Sequence, residues 1–210
     1  MNVIDQLSSS KGQRGEAANI ALAKKIAASD DKTSITELIR LVETDKPGIQ
    51  NDAVKTLSEV ATLRPDLVAS HVGFFAGLLS NQNNRLQWGA MTALDAIAAF
   101  DPDLIAEHLD LIVAAASLGS VITNDHAMGI LVKLAGTKKH AARAVPPLFR
   151  RLKVSPANQF GMYAEMCEPA LDADARKEFL TILQSRLKSL PKVSQQKRIE
   201  KLIQKITPTP

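Results

Sequence analysis

The sequence predicts an all-α fold, a row of about five helical hairpins finished by a lone C-terminal helix. Two observations carry that reading: a 37-residue recurrence of apolar residues, and a composition rich in small and aliphatic side chains. Of 210 residues 45% are hydrophobic, yet only 4% are aromatic. Ala and Leu lead the helix formers, and small residues let helices approach closely. Sheets draw instead on β-branched and aromatic residues.

The recurrence is clearest in three central helices. Ala53, Val54, Leu57, Val60 and Ala61 return 37 residues on as Ala90, Met91, Leu94, Ile97 and Ala98. They return again as Ala127, Met128, Leu131, Leu134 and Ala135. This i, i+1, i+4, i+7, i+8 spacing is one face of a helix. Between these helices lies a second set. The Pro-Asp-Leu-Val-Ala run from Pro65 to Ala69 reappears as Pro-Asp-Leu-Ile-Ala from Pro102 to Ala106. The prolines end the preceding helix, and Asp66 and Asp103 are expected to cap the next one. Val72, Phe75 and Leu79 then match Leu109, Ile112 and Ala116 and, with one residue deleted, Val145, Leu148 and Leu152. The unit is two helices with two short connections.

The ends are more degenerate, as terminal repeats of a stacked array are. In an N-terminal repeat over 11–43, Ile20, Ala23, Ile26 and Ala27 fit at an offset of 34, and Ile35, Leu38 and Val42 at 37. Regular repeats occupy 47–153. In a C-terminal repeat over 156–190, Met162, Tyr163, Met166 and Ala170 fit at 35, with Pro169 in place of a core leucine, and Ile182, Leu183 and Leu187 follow. A basic capping helix over 192–206 places Ile199, Leu202, Ile203 and Ile206 on one face. The whole reads as one domain over 1–210, with the first ten residues and Thr207–Pro210 as loose tails.

The stretches Pro47–Leu57 and Asn84–Leu94 each have a Pro or polar start, an aliphatic residue and a polar one, then Ala and Leu. They resemble the second helix of HEAT repeats. Gln replaces the usual Arg, and the period is shorter than the ~40–47 residues of HEAT and armadillo units. The Trp, Gly, Tyr and Pro positions of tetratricopeptide units and the Thr-Pro-Leu-His of ankyrin are missing. The resemblance implies a right-handed α-α superhelix of the HEAT/armadillo kind, with second helices lining the concave side. HEAT and armadillo both stay open.

Little in the chain suggests catalysis. It contains no His-Glu-x-x-His, no Gly-x-Ser-x-Gly and no glycine-rich phosphate loop. His71 and His108 are repeat-equivalent, and His126 and His140 have no acidic or Cys partner at ligand spacing. No cofactor, metal, membrane or small-molecule substrate is expected. Cys167 is the sole cysteine, so no internal disulfide forms. With neither a signal pattern nor a spanning apolar run, a cytoplasmic setting is expected.

What remains is surface. Gln50, Gln87 and Asn124 are 37 apart and Gln159 follows at 35. Each sits in the first turn of a second helix, and the set reads in two ways. It is a ladder that hydrogen-bonds an extended peptide, or a set of amides serving helix ends, which always need such partners. Trp88, the only tryptophan, takes a position held by Asn51 and Asp125 in adjacent repeats, with Arg85 one turn before. It is either a partner anchor or a plug between hairpins. The leading expectation is a non-enzymatic scaffold that binds a protein or peptide through Gln50, Gln87, Trp88, Asn124 and Gln159, with Lys55, Arg85 and Lys133 setting the charge.

A second expectation arises from charge. Residues 1–137 carry 11 Lys and Arg against 16 Asp and Glu, a net of −5, whereas 138–210 carry 15 against 6, a net of +9. Arg150, Arg151, Lys153, Lys197, Arg198, Lys201 and Lys205 would then contact nucleic acid phosphates. Against this, aromatic residues for base stacking are missing, since Phe149, Phe160, Tyr163 and Phe179 read as core. Charge on a last helix also keeps a repeat array soluble.

Overall fold

The computed structural model describes residues 2–207. Met1 and, of the expected C-terminal tail, 208–210 lie outside the described residues. Among those described, the regular elements are helices and short 3-10 turns. The chain divides into two compact units, one ending at Ala127 and the other starting at Met128.

In the first unit, α1 (Ala17–Ser29), α2 (Lys32–Thr44) and α3 (Pro47–Leu63) lead to 3-10 turns at Pro65–Leu67 and Ala69–His71, then α4 (Val72–Leu78) and α5 (Asn84–Phe100). Next come the short α6 (Pro102–Ala106), α7 (Leu109–Leu118) and α8 (Val121–Ala135), within which the division falls. The second unit continues with α9 (Ala141–Val154), α10 (Ala157–Cys167), α11 (Ala173–Leu187) and α12 (Val193–Ile206).

All fifteen residues of the central recurrence are buried. Burying a Leu- or Ile-sized side chain is worth about 1.5–3 kcal/mol, so the recurrence marks the core of the fold. Helix starts are set by side chains. Asp31, Asn83 and Asp172 accept from backbone N–H groups at the starts of α2, α5 and α11. Pro47 and Pro102 open α3 and α6, where a missing N–H costs nothing. After α1 the chain turns through Asp30 in the left-handed region, φ 51°, and Arg64 Nη1 holds that carboxylate at 2.7 Å.

Four expectations need correction. The cap before Leu104 is Asp101, not Asp103: Asp101 accepts from Asp103 and Leu104 N–H while Asp103 lies inside the first turn. Pro at the first helical position leaves the residue before it extended, so the cap must precede the proline. Asp66 pairs with Arg64 instead. The first helices of two central repeats are also broken, at His71 and His108, giving the three-segment unit α6, α7, α8 where two helices were expected.

The third correction concerns register. Second helices start at Pro47, Asn84, Val121, Ala157 and Val193, so the step into α10 is 36. Its buried residues are Phe160, Gly161, Tyr163, Ala164 and Cys167, whereas Met162 and Met166 are only half-buried. The last correction is the N-terminal tail. Val3 and Leu7 are buried around a 3-10 turn at Ile4–Gln6, Ser8 N–H donates to Asn19 Oδ1, and Ser9 N–H donates to Asp52 Oδ2. Two apolar side chains and two anchored amides hold the segment, which periodicity alone does not reveal.

Candidate functional site

The fourth residue of each second helix is Gln50, Gln87, Asn124, Phe160 or Gln196. Gln50 Nε2 donates to the Val42 carbonyl at 2.8 Å, Gln87 Nε2 to that of Asn81, and Asn124 Nδ2 to those of Gly119 and Ser120. Each amide therefore ties its helix to the end of the helix before it, a carbonyl left over where helical bonding stops. In the second unit Gln196 Nε2 does the same for Leu190, at 2.8 Å. Gln196 was missed in the sequence, although it is the fourth residue after its helix start. Gln159 lies one residue before the ladder position and is half-buried. The position itself holds the buried Phe160. There Arg186 lies 4.9 Å from the ring centre and its Nη2 donates to the Ser155 carbonyl at 2.6 Å. A guanidinium replaces the missing amide.

One residue along from Gln87, Trp88 is half-buried on the wall of a cleft of about 310 Å³ within the first unit. Asn51, Val54, Lys55 and Ser58 of α3 form one side. Arg85, Trp88, Gly89 and Thr92 of α5 form the other, with Glu16 and Ile122 at the ends. Gly89 brings the helices together: a Cβ there would lie 2.8 Å from Val54 Cγ2 and 3.3 Å from its carbonyl oxygen. The structure thus joins Lys55, Arg85 and Trp88 at one site, while Gln50, Gln87 and Asn124 face their own backbone. Lys133, on α8, is half-buried.

The cleft is electrostatically built. Lys55 Nζ stands 2.8 Å from Glu59 and 3.1 Å from Glu16, and Arg85 Nη1 is 4.0 Å from Glu16. Partial burial pulls the Lys55 ammonium down, but the hydrogen bonds to Glu59 and Glu16 outweigh it and leave it above the ordinary lysine range. It is a permanent cation at neutral pH.

His126 gains the acidic partner the sequence reading denied it. Its Nδ1 lies 2.9 Å from Asp95 Oδ2 and its Nε2 3.0 Å from Thr92 Oγ1, both on α5. The partner comes from the neighbouring helix, 31 residues away, beyond any ligand-spacing rule. A hydroxyl, an imidazole and a carboxylate in line resemble a nucleophile, base and orienter. However, the Thr92 hydroxyl sits 2.8 Å from the Trp88 carbonyl of its own helix, to which it donates, and the surrounding N–H groups of α5 are used in helical bonds. The group braces α8 on α5.

Three of the basic residues expected to meet phosphates, Lys153, Arg198 and Lys205, are ion-paired within the second unit. Arg198 makes a two-pronged pair with Glu165 at 2.6 and 2.7 Å, Lys205 meets Glu168 at 2.6 Å, and Lys153 meets Glu178 at 2.9 Å. Arg151 is half-buried, and desolvation holds its guanidinium below the usual range. Arg150, Lys197 and Lys201 are exposed. Phe149, Phe160, Tyr163 and Phe179 are core, and Phe149 and Phe179 stack at 6.2 Å. Burial pushes the Cys167 thiol up to about 12, so it supplies no thiolate near neutrality. Among the described residues no three His, Cys, Asp or Glu side chains gather as a ligand set. No helix of the structure is long and apolar enough to cross a membrane.

Compared by sequence, the chain matches no protein-family model and no curated protein. Solved structures are similar along nearly its whole length. A designed armadillo repeat protein in complex with the peptide (KR)4 is 14% identical, with 98% of each chain covered and a TM-score of 0.66. Computationally designed armadillo repeat proteins for modular peptide recognition give 14%, 98% of each chain and 0.63. An engineered protein gives 18% identity, 97% of this chain, 96% of its own and 0.61. At such identities the likeness speaks for the architecture: the chain has an armadillo/HEAT-like helical-repeat fold.

Proposed function

We propose that the chain is a non-enzymatic, cytoplasmic scaffold that holds a peptide segment or a helix of another protein in the cleft between α3 and α5. The observation that supports this most is Trp88. A lone tryptophan, half-buried on a cleft wall beside Arg85 and Lys55, offers a large apolar surface with charge at its rim. Such aromatic and Arg side chains dominate binding energy at interfaces. The similar designed proteins, named for peptide complexes and peptide recognition, show the fold in that use. Their support extends to the kind of partner and not to its identity. In this reading the amides of Gln50, Gln87 and Asn124 shape the groove through the hairpins they brace.

Because Trp88 is the only tryptophan, its emission reports on the cleft. Peptides selected from a random display library are expected to shift that emission. Trp88→Ala, measured by titration calorimetry because it lacks the reporter, should weaken them at least tenfold, the loss of a hot spot worth about 2 kcal/mol, with unfolding unchanged. Selected peptides that bind Trp88→Ala as well as the parent chain would rule out this cleft.

A further inference from the structure

The cleft has a fixed part and a removable part, and they differ in sign. Lys55 and Arg85 project from α3 and α5, long helices whose faces are packed in the core. The carboxylate between them, Glu16, belongs to the stretch that enters α1. From Lys11 through Ala17 every residue of that stretch is exposed, and Gly12 and Gly15 take φ of 63° and 86°. A segment with so little buried surface opens locally at low cost. Glu16 is itself 45% exposed, yet it spans the gap to both cations.

We infer that the cleft selects acidic peptides and that Glu16 occupies, in the free chain, the place of the ligand's carboxylate. This rests on the reading of the cleft as a peptide site. When Glu16 swings away, Lys55 keeps Glu59 and Arg85 faces the cleft, so the walls carry one positive charge in excess. A ligand Glu or Asp restores the pairing, and its neighbouring methylenes lie against Trp88. The first unit as a whole is acidic, but exposed charges more than about 8–10 Å away are screened at physiological salt. The two cations at the site therefore decide the preference. The designed neighbour complexed with (KR)4 carries the opposite sign of ligand, which makes the choice a sharp one.

The test is a Trp88 fluorescence titration of the full chain with three octapeptides: alternating Glu and Ala, alternating Lys and Ala, and alternating Ser and Ala. The acidic peptide is expected to bind best and to weaken with added salt. Glu16→Gln removes the internal competitor, an exposed pair of the kind worth about 0.2–1 kcal/mol, and should tighten the acidic peptide roughly two- to fivefold. Arg85→Gln should weaken it, and Lys55→Gln provides a second variant if the first unfolds. Preference for the Lys peptide, with Glu16→Gln weakening it, overturns the inference and leaves the peptide site standing. Equal binding of all three also overturns it. If neither these peptides nor library-selected ones perturb Trp88, the peptide site itself falls.

Discussion

The two units solve the same problem with different chemistry. Before every second helix the chain leaves a carbonyl at a connection, and in the first unit an amide three times takes it up, from Gln50, Gln87 and Asn124. In the second unit, the first such position is the buried ring of Phe160, and Arg186 from a later helix crosses that ring to reach Ser155. The amide then returns as Gln196. An amide serves its own hairpin locally, whereas the ring and guanidinium tie α10 to α11. The charges differ likewise: Lys55 and Arg85 of the first unit edge a cleft, whereas Lys153, Arg198 and Lys205 of the second pair with Glu178, Glu165 and Glu168.

That contrast can be broken by substitution. The largest effect is expected at Phe160. Phe160→Ala should cost about 3–5 kcal/mol in urea unfolding, because it empties a core position and uncovers Arg186. A loss below about 1 kcal/mol, far under the usual cost of such a truncation, would mean the ring is not a structural substitute for the amide. Phe160→Gln should recover part of the loss once Arg186 is also changed to Ala. Gly89→Ala comes next, at about 1–3 kcal/mol, since its Cβ meets stiff Val54 and backbone. Trp88 emission would report the widened cleft. Gln87→Ala should cost about 0.5–1.5 kcal/mol, the net worth of one hydrogen bond. A neutral result would return the amide to the surface.

The smallest effect concerns Glu165. Its hydrogen bonds to Arg198 hold the carboxyl below the usual range. A depressed pKa stabilises the fold above the unfolded value, about 4.3 for Glu, and the gain is lost as pH falls through the folded value. Both partners are nearly half exposed, so the effect at neutral pH is about 0.2–1 kcal/mol. Glu165→Gln should be less stable than the parent by that amount at about pH 7, and the two should converge in acid as pH falls below the folded value. A difference that persists in acid would show that shape, not charge, holds α10 to α12.

The core was legible in the sequence because burial repeats with the helix period. Features that depend on a neighbouring helix were not. His126 meets Asp95 only because α8 lies on α5, and Arg198 meets Glu165 because α12 lies on α10 in the other unit. The one-residue slip at α10 arose where a ring took an amide's place, so matching amides to amides pointed at Gln159. Val3 and Leu7 are too few to show a period, so periodicity alone makes the N-terminal segment a loose tail. Of the candidate site, Trp88, Arg85 and Lys55 were foreseen as surface residues, but Gly89 and Glu16 were not. Their roles arise from close approach and from a turn back across the helices, neither of which leaves a spacing to read.

The brace at the fourth residue of each second helix has a consequence for how such a chain acquires new partners. The next residue along is Asn51, Trp88, Asp125, Gly161 or Lys197. At Trp88, where its neighbour Gln87 already secures the hairpin, that residue can vary like a letter in a fixed grammar. Gly161 and Asn51 have less freedom: a Cβ at Gly161 would press on Arg198 at 2.9 Å, and Asn51 Oδ1 accepts from Nδ2 of Asn83, the residue that caps α5, at 2.8 Å. Diversifying position 88 while keeping Gln50, Asn51 and Gln87 would rewrite what the cleft recognises and leave its framework intact.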